Sequence, residues 1–249
     1  MKSQTLKANK DPMGTAIKEF QETGKASKLR VLSTMFDEDE IEVEHLFRTY
    51  RQMPPLEQMA LRESRGRVLD VGAGSGCHSL ALQNEDELKG KIASITAIDI
   101  SPLSCQVMRE RGLADVRCQN FFDEEFADTF DTILLLMNGT GIAGKKRNMQ
   151  NLLLKAKKQL NTDGQILIDS SDLRYLYEDE NGEPDFDGVE GYYGEVDYKM
   201  KYRNVSGDKF DWLYLDQASL KEEAQKAGLT VQILAEGENY DYLALLRKV

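Results

Sequence analysis

The chain is poor in cysteine. Three in 249 residues, Cys77, Cys105 and Cys118, are too few and too scattered for a disulfide framework, and none is spaced as a metal-binding pair. With only two histidines, His45 and His78, no His/Cys/Asp/Glu cluster has metal-ligand spacing, so no metal is expected. Positive charge is in deficit, 32 Lys+Arg against 43 Asp+Glu, a formal charge of −11. That balance argues against nucleic acid and anionic membrane as partners. Long apolar runs are missing too. The longest aliphatic stretch, Ile133–Met137, is far below the roughly 20 residues of a membrane span. The opening MKSQTLKANKDPMGT has no apolar centre and does not read as a secretory signal. A reducing, cytoplasmic location is the expectation. What is there is an ordinary globular composition, 41 % hydrophobic and 30 % charged, long enough for one large domain or one with an accessory lobe.

Residues 1–62 read as an N-terminal helical cap, with an acidic stretch at Asp37–Glu40, a Pro54-Pro55 break and no strand pattern. From residue 63 short aliphatic runs alternate with amphipathic stretches, the signature of βα units and a parallel sheet. The strands expected are Arg67–Val71, Ser94–Ile100, Asp115–Cys118, Asp131–Met137 and Gln165–Asp169. Ser101-Pro102 supplies an N-cap and first-turn proline, and Met149, Leu152, Leu153, Ala156 and Leu160 form a helical apolar stripe. Residues 172–216 break the rhythm: an acidic loop is followed by two period-two segments, Val196–Tyr202 and Phe210–Tyr214, expected as a β-hairpin. Ser219-Leu-Lys-Glu222 then reads as a capping box for a helix that Gly228 closes. Two strands end the chain, about Thr230–Ala235 and Tyr240–Arg247; the joint between them is too short for a parallel crossover, so the last strand is expected to run antiparallel. The fold class expected is α/β, a Rossmann-like seven-stranded sheet, mostly parallel with an antiparallel last strand.

The densest signal is VLDVGAGSGCH, Val68–His78, where a buried strand turns into a helix. Gly72, Gly74 and Gly76 permit a sharp turn and close approach of a ligand. The spacing is G-x-G-x-G, and Cys77 stands where the dinucleotide fingerprint requires its third glycine. Asp70, two residues before Gly72, would repel a pyrophosphate but suits an ammonium-bearing ligand. Asp99 ends the next strand, where a carboxylate can take two ribose hydroxyls. The combination selects a ligand with a ribose, a positive charge and little phosphate.

Over roughly residues 65–249 the sequence resembles the class I S-adenosylmethionine-dependent methyltransferases. The resemblance rests on LDVGAGSG (Leu69–Gly76), AIDIS (Ala97–Ser101), CQNFFD (Cys118–Asp123), FDTILLLMNGTG (Phe130–Gly141) and the strand before DSS (Asp169–Ser171). It implies that S-adenosylmethionine is the cofactor. Asp70, Gly72, Ala73, Gly74 and Gly76 would hold its methionine end, Asp99 its ribose, and Ile100 its adenine. Asn120 stands where the family usually has Asp, keeping an acceptor for the adenine amino group, and Phe121 would pack on the ring. Met137 would complete the cofactor contacts.

Methyl transfer needs mainly alignment of the acceptor and exclusion of water, so the lack of an obvious triad excludes nothing, and no catalytic residue is assigned. On the acceptor side the resemblance points to Asn138, beside the alternative of a simple Asn-Gly turn. It also points to Tyr193, Tyr192 and Trp212 as pocket walls, beside the packed face of a hairpin. Arg48 is a candidate to close over the cofactor carboxylate or acceptor, and His78, in the first turn of the helix after the glycine loop, is a candidate to sit near cofactor or acceptor, beside the alternative of a helix-start residue facing solvent or the cap. The activity implied is transfer of a methyl group to a small molecule; the alternatives are a protein-directed transferase and a non-catalytic cofactor-binding module. The hairpin insertion is a candidate substrate lid or homodimer arm.

Overall fold

The computed structural model describes residues 5–123 and 128–249. Helix α1 (Pro12–Thr23) leads into two short strands, β1 (Leu29–Leu32) and β2 (Asp39–Ile41), and, after 3-10 turns, α2 (Pro55–Glu63). The βα alternation follows: β3 (Gly66–Val71), α3 (Cys77–Asn84), α4 (Asp86–Lys89), β4 (Ile92–Asp99), α5 (Pro102–Glu110), β5 (Asp115–Cys118), β6 (Phe130–Leu135), α6 (Met149–Gln159) and β7 (Leu160–Ser171). Then come β8 (Glu195–Tyr202), β9 (Val205–Ser206), β10 (Phe210–Leu213), α7 (Gln217–Lys226), β11 (Leu229–Glu236) and β12 (Asp241–Lys248).

Seven strands form the main sheet in the order β11-β12-β7-β6-β3-β4-β5. Strands β3 to β7 pair in parallel, whereas β12 is antiparallel to both β7 and β11, as the short final joint requires. Alternate residues serve opposite faces. Ile133, Leu135, Ile166, Ile168 and Leu246 pack with the α6 and α7 side; Val68, Leu134, Leu167 and Leu245 pack with α2 and α3. Burial on both faces explains why these strands read as unbroken aliphatic runs. The helix caps are partly as expected. Ser101 Oγ accepts from Ser104 N at 2.9 Å, with Pro102 opening α5. For α7 the cap is Asp216, which accepts from Ser219 N at 2.9 Å; Ser219 is the third helical residue rather than the cap. A carboxylate is favoured at this position because it also faces the positive end of the helix.

The N-terminal segment departs from a purely helical cap. β1 pairs antiparallel with β2 and with β8, giving a second sheet β10-β8-β1-β2, with β9 on β8. The alternation in β1, with Leu29 and Val31 buried and Arg30 exposed, spans only four residues. That is too short to stand out in sequence. The expected hairpin insertion is therefore half of a sheet whose other half comes from the N-terminal segment.

This second sheet is seated on the ends of β6 and β7 by buried polar groups. The Thr140 hydroxyl donates to Leu213 O at 2.8 Å and lies 2.7 Å from the Ser170 hydroxyl, which accepts from Leu215 N at 2.8 Å. Tyr242 OH donates to Leu215 O at 2.6 Å. Trp212, the sole tryptophan, lies against Gly141, where an added Cβ would fall inside the indole ring. Gly141→Ala is therefore expected to destabilise the fold by about 1–3 kcal/mol through overpacking and to shift the Trp212 emission. Denaturant unfolding followed by fluorescence checks both; unchanged stability and emission would rule out this docking.

Candidate functional site

The chain runs from β3 outward through β4 and β5, then crosses back to β6 on the other side of β3. The crevice at the carboxyl ends of β3 and β6 is the switch point where α/β sheets bind ligands. Gly72, Gly74 and Gly76 all take left-handed backbone conformations there, which side-chain-bearing residues adopt only at a cost. A Cβ at Gly74 would meet nothing within 4 Å, so the loop borders open space. Its backbone N–H groups are largely engaged within the protein. Gly72 N and Ala73 N donate to Ile98 O at 2.9 and 3.1 Å, Gly76 N to Ala73 O at 2.7 Å, and Gly74 N to Asp99 Oδ2 at 2.9 Å. Few remain for a phosphate.

Carboxylates converge on this loop. Asp70, 2 % exposed, accepts from Ser79 Oγ of α3 at 2.7 Å. Asp99 accepts from Gly74 N and, at 2.8 Å, from Ser101 N. Burial, with like charge from Asp11 and Asp70, pushes Asp99 up to about 6 despite those hydrogen bonds. Asp11 caps α1 and accepts from Ser101 Oγ at 2.5 Å, and Leu6 N donates to Ile100 O at 2.8 Å. The N-terminal segment thus lies along the end of β4. Three large apolar side chains at neighbouring strand ends are left uncovered: Ile100 at 38 %, Phe122 at 41 % and Met137 at 37 % exposure. Convergent acids, an open glycine turn and bare apolar side chains suit a cationic nucleoside.

Phe121, expected against adenine, is 3 % exposed and lies in the main core with Leu69, Val71 and Ile98. Asn120 Oδ1 accepts from Phe122 N at 2.9 Å, and Asn120 N donates to Asp123 Oδ2 at 3.1 Å. This turn sends Phe121 inward and Phe122 outward.

On the β6 side, Met137 and Asn138 both have positive φ, 64° and 58°. Two successive non-glycine residues in that region are costly, roughly 1–2 kcal/mol each. Asp169, at the β7 end, holds them by accepting from Met137 N at 3.0 Å and Gly139 N at 3.1 Å. Burial pushes Asp169 up to about 6. Asn138 Oδ1 accepts from Ser171 Oγ at 3.1 Å. Asp169 was visible in sequence only as a strand end. Tyr193 OH donates to Asp172 at 2.7 Å, and its ring stacks on Phe186 with centroids 4.7 Å apart.

Arg48 lies away from open space, at 6 % exposure. It is ion-paired with Glu57 and donates to His45 O at 2.5 Å; among its nitrogens, Nε is buried without a partner. His78 does not face solvent: it is buried, with Nε2 2.6 Å from the same Glu57 oxygen. Burial opposes the charge of Glu57, yet His78 and Arg48 hold it below the ordinary carboxylate range. Ser75 Oγ donates to Leu46 O, and Arg111 donates to Ser75 O at 2.7 Å with its guanidinium 4.7 Å from the Phe47 ring centroid. These contacts clamp the N-terminal segment onto the glycine loop. Cys77 beside it is no nucleophile at neutral pH, since burial pushes its thiol up to about 11. Among the described residues no group of three or more His, Cys, Asp or Glu is arranged to hold a metal.

A family profile described as a methyltransferase domain matches residues 62–228. The chain is 53 % identical to an S-adenosylmethionine-dependent methyltransferase from Bacteroides fragilis, crystallised with S-adenosyl-L-homocysteine. That match covers 99 % of this chain and 98 % of that one, with a TM-score of 0.91. It is 26 % identical over 230 residues to an uncharacterised methyltransferase of Staphylococcus carnosus, covering 92 % of this chain and 100 % of the relative. An amino pentose methyltransferase from Micromonospora echinaspora shares the fold at 14 % identity and a TM-score of 0.52, over 80 % of this chain and 94 % of that one.

The Arg48–Glu57–His78 cluster carries a stability prediction. Glu57→Gln leaves a buried guanidinium without its counter-charge and is expected to cost about 3–5 kcal/mol, whereas Arg48→Met in the same chain restores most of it. A double-mutant cycle by chemical denaturation checks this; additive losses would dissolve the pairing.

Proposed function

The chain belongs to the class I S-adenosylmethionine-dependent methyltransferases, and from that footing we propose that it methylates a small molecule enclosed between the strand ends and the second sheet. The observation that carries this is the lid: β8 and β10, joined to β1 from the N-terminal segment, lie over the β6 and β7 ends, with Trp212 against Gly141. A protein acceptor would need an open groove along this edge. The insertion, read in sequence as a lid or dimer arm, is engaged within its own chain through β1, which favours the lid. Among the described residues no helix is long and apolar enough to cross a membrane. The free Cys77, Cys105 and Cys118 suit a reducing compartment such as the cytoplasm.

Bound S-adenosylmethionine supplies an electrophilic methyl carbon on a sulfonium. We assign Asp99 to the ribose hydroxyls, Ile100 and Phe122 to the two faces of adenine, and Asn120 to its amino edge. Asp70 and the Gly72–Gly76 turn take the methionine end, where carboxylates favour the ammonium and sulfonium. Met137 completes the cofactor contacts, and Asn138, held by Ser171, borders the acceptor side. What the protein contributes to the transfer is alignment and exclusion of water, effects that together supply about 7–11 kcal/mol in well-oriented reactions.

Asp99→Ala is expected to weaken S-adenosylhomocysteine binding by well over tenfold, since a buried charge-assisted pair of hydrogen bonds is lost. In the native chain the hydroxyls bond the ionised form of Asp99, so binding lowers its pKa. Affinity should be fully developed above about 6 and fall as pH drops through that value. Calorimetry across pH 5–8 checks both, and a flat profile with unchanged Asp99→Ala affinity would remove the ribose assignment. The acceptor class is tested by incubating the chain with methyl-labelled cofactor and a metabolite extract, then mass spectrometry. Label in a small molecule is expected; label confined to protein would overturn the reading.

A further inference from the structure

A cavity of about 510 Å3 lies where the β1–β2 connection meets the insertion. Met35, Phe36, Leu176, Tyr177, Tyr192 and Glu190 are among the residues that line it. Its wall is close in the chain to the acceptor edge: the Tyr192 and Tyr193 rings are in contact at 4.5 Å, Tyr193 OH is bonded to Asp172, and Ser171 is bonded to Asn138. Three observations bear on what it holds. Its lining is aromatic and aliphatic, and Met35 and Leu176 remain substantially exposed. Its only charged lining residues are acidic. Glu195 is engaged with Lys146 N at 2.9 Å, but the exposed Glu190 has no basic partner among the described residues. Residues 175–198 contain nine Asp and Glu and no Lys, Arg or His; the lysines nearest the lining, Lys145 and Lys146, are taken up by Glu195 at 3.8 Å and by the Tyr192 ring and Ser219 Oγ. The lining ring Tyr192 is itself in a cation–π contact, with Lys146 Nζ 4.7 Å from its centroid.

We infer that this cavity is a recognition pocket for a ligand carrying a protonated amine on an apolar body, and that it selects the acceptor by that group. The body is covered by Met35, Phe36, Leu176 and Tyr177; the ammonium is drawn to Glu190 and the acidic approach. Recognition is separate from the atom that is methylated, which this pocket does not assign. The inference rests on the acceptor reading above.

Its test uses the full chain saturated with S-adenosylhomocysteine and two probes of matched body, phenethylamine and 3-phenylpropionate, titrated by calorimetry. The amine is expected to bind at least tenfold more tightly than the acid. Glu190→Gln, a conservative change at an exposed position, should weaken the amine at least threefold and leave the acid unchanged or improved. Tyr177→Ala should weaken the amine, and both variants should keep native S-adenosylhomocysteine affinity. Equal or tighter binding of the acid, no saturable binding of the amine, or a Glu190→Gln variant indistinguishable from the native chain would overturn the inference. Because these readouts need no turnover, such a result alongside a labelled small-molecule product would sink the pocket assignment alone. Label confined to protein would sink the acceptor reading and, with it, the pocket's role in choosing the acceptor, even if the amine binds selectively.

Discussion

A carboxylate at the end of one strand holds the loop that leaves its neighbour, and this happens twice. Asp99 of β4 accepts from Gly74 N in the loop after β3, and Asp169 of β7 accepts from Met137 N and Gly139 N in the loop after β6. The two loops flank the crevice, and both contain backbone in the left-handed region. Glycines take that region freely, whereas at Met137 and Asn138 it persists only where surrounding contacts over-determine it. The same placement costs the carboxylates hydration, which is why both are pushed up to about 6. The site is shaped by acids whose pKa burial raises while backbone donors hold them in place, an arrangement typical of functional positions.

Most of the main sheet was legible because each of its strands carries its own signal. Ile133 to Leu135 and Ile166 to Ile168 are buried on both sheet faces and so form aliphatic runs, and the glycine turn announces itself by composition. The short joint between β11 and β12 fixed an antiparallel end by geometry alone. Less legible were features whose cause lies far away in sequence. β1 and β2 have four and three residues, and β1 is a strand because Arg30 to Leu32 pair with Lys199 to Lys201. Nothing local encodes that partner.

Parity and charge were the other blind spots. Whether Phe121 or Phe122 faces the crevice depends on the turn made by Asn120, which a motif alignment does not carry. Glu57 and His78 look like surface residues by type, since acids and histidines are seldom fully buried. Their burial is tolerable only because Arg48, from another segment, completes the cluster. Asp169 gave a subtler case: its identity was plain, but its work on the Met137–Gly139 turn required the register of β6 against β7.

The N-terminal segment ties the glycine loop to the second sheet. Leu6 and Asp11 bond to Ile100 and Ser101 at the end of β4, Leu46 accepts from Ser75 in the glycine loop, and β1 then pairs with β8 in the second sheet. One stretch of chain therefore touches the loop after β3, the end of β4 and the second sheet. A second sheet built only from the insertion would be independent of the glycine loop; because β1 lies between β2 and β8, the two are joined through a single packed segment. By linkage, whatever factor one ligand contributes to the binding of another at this edge is returned in full by the other.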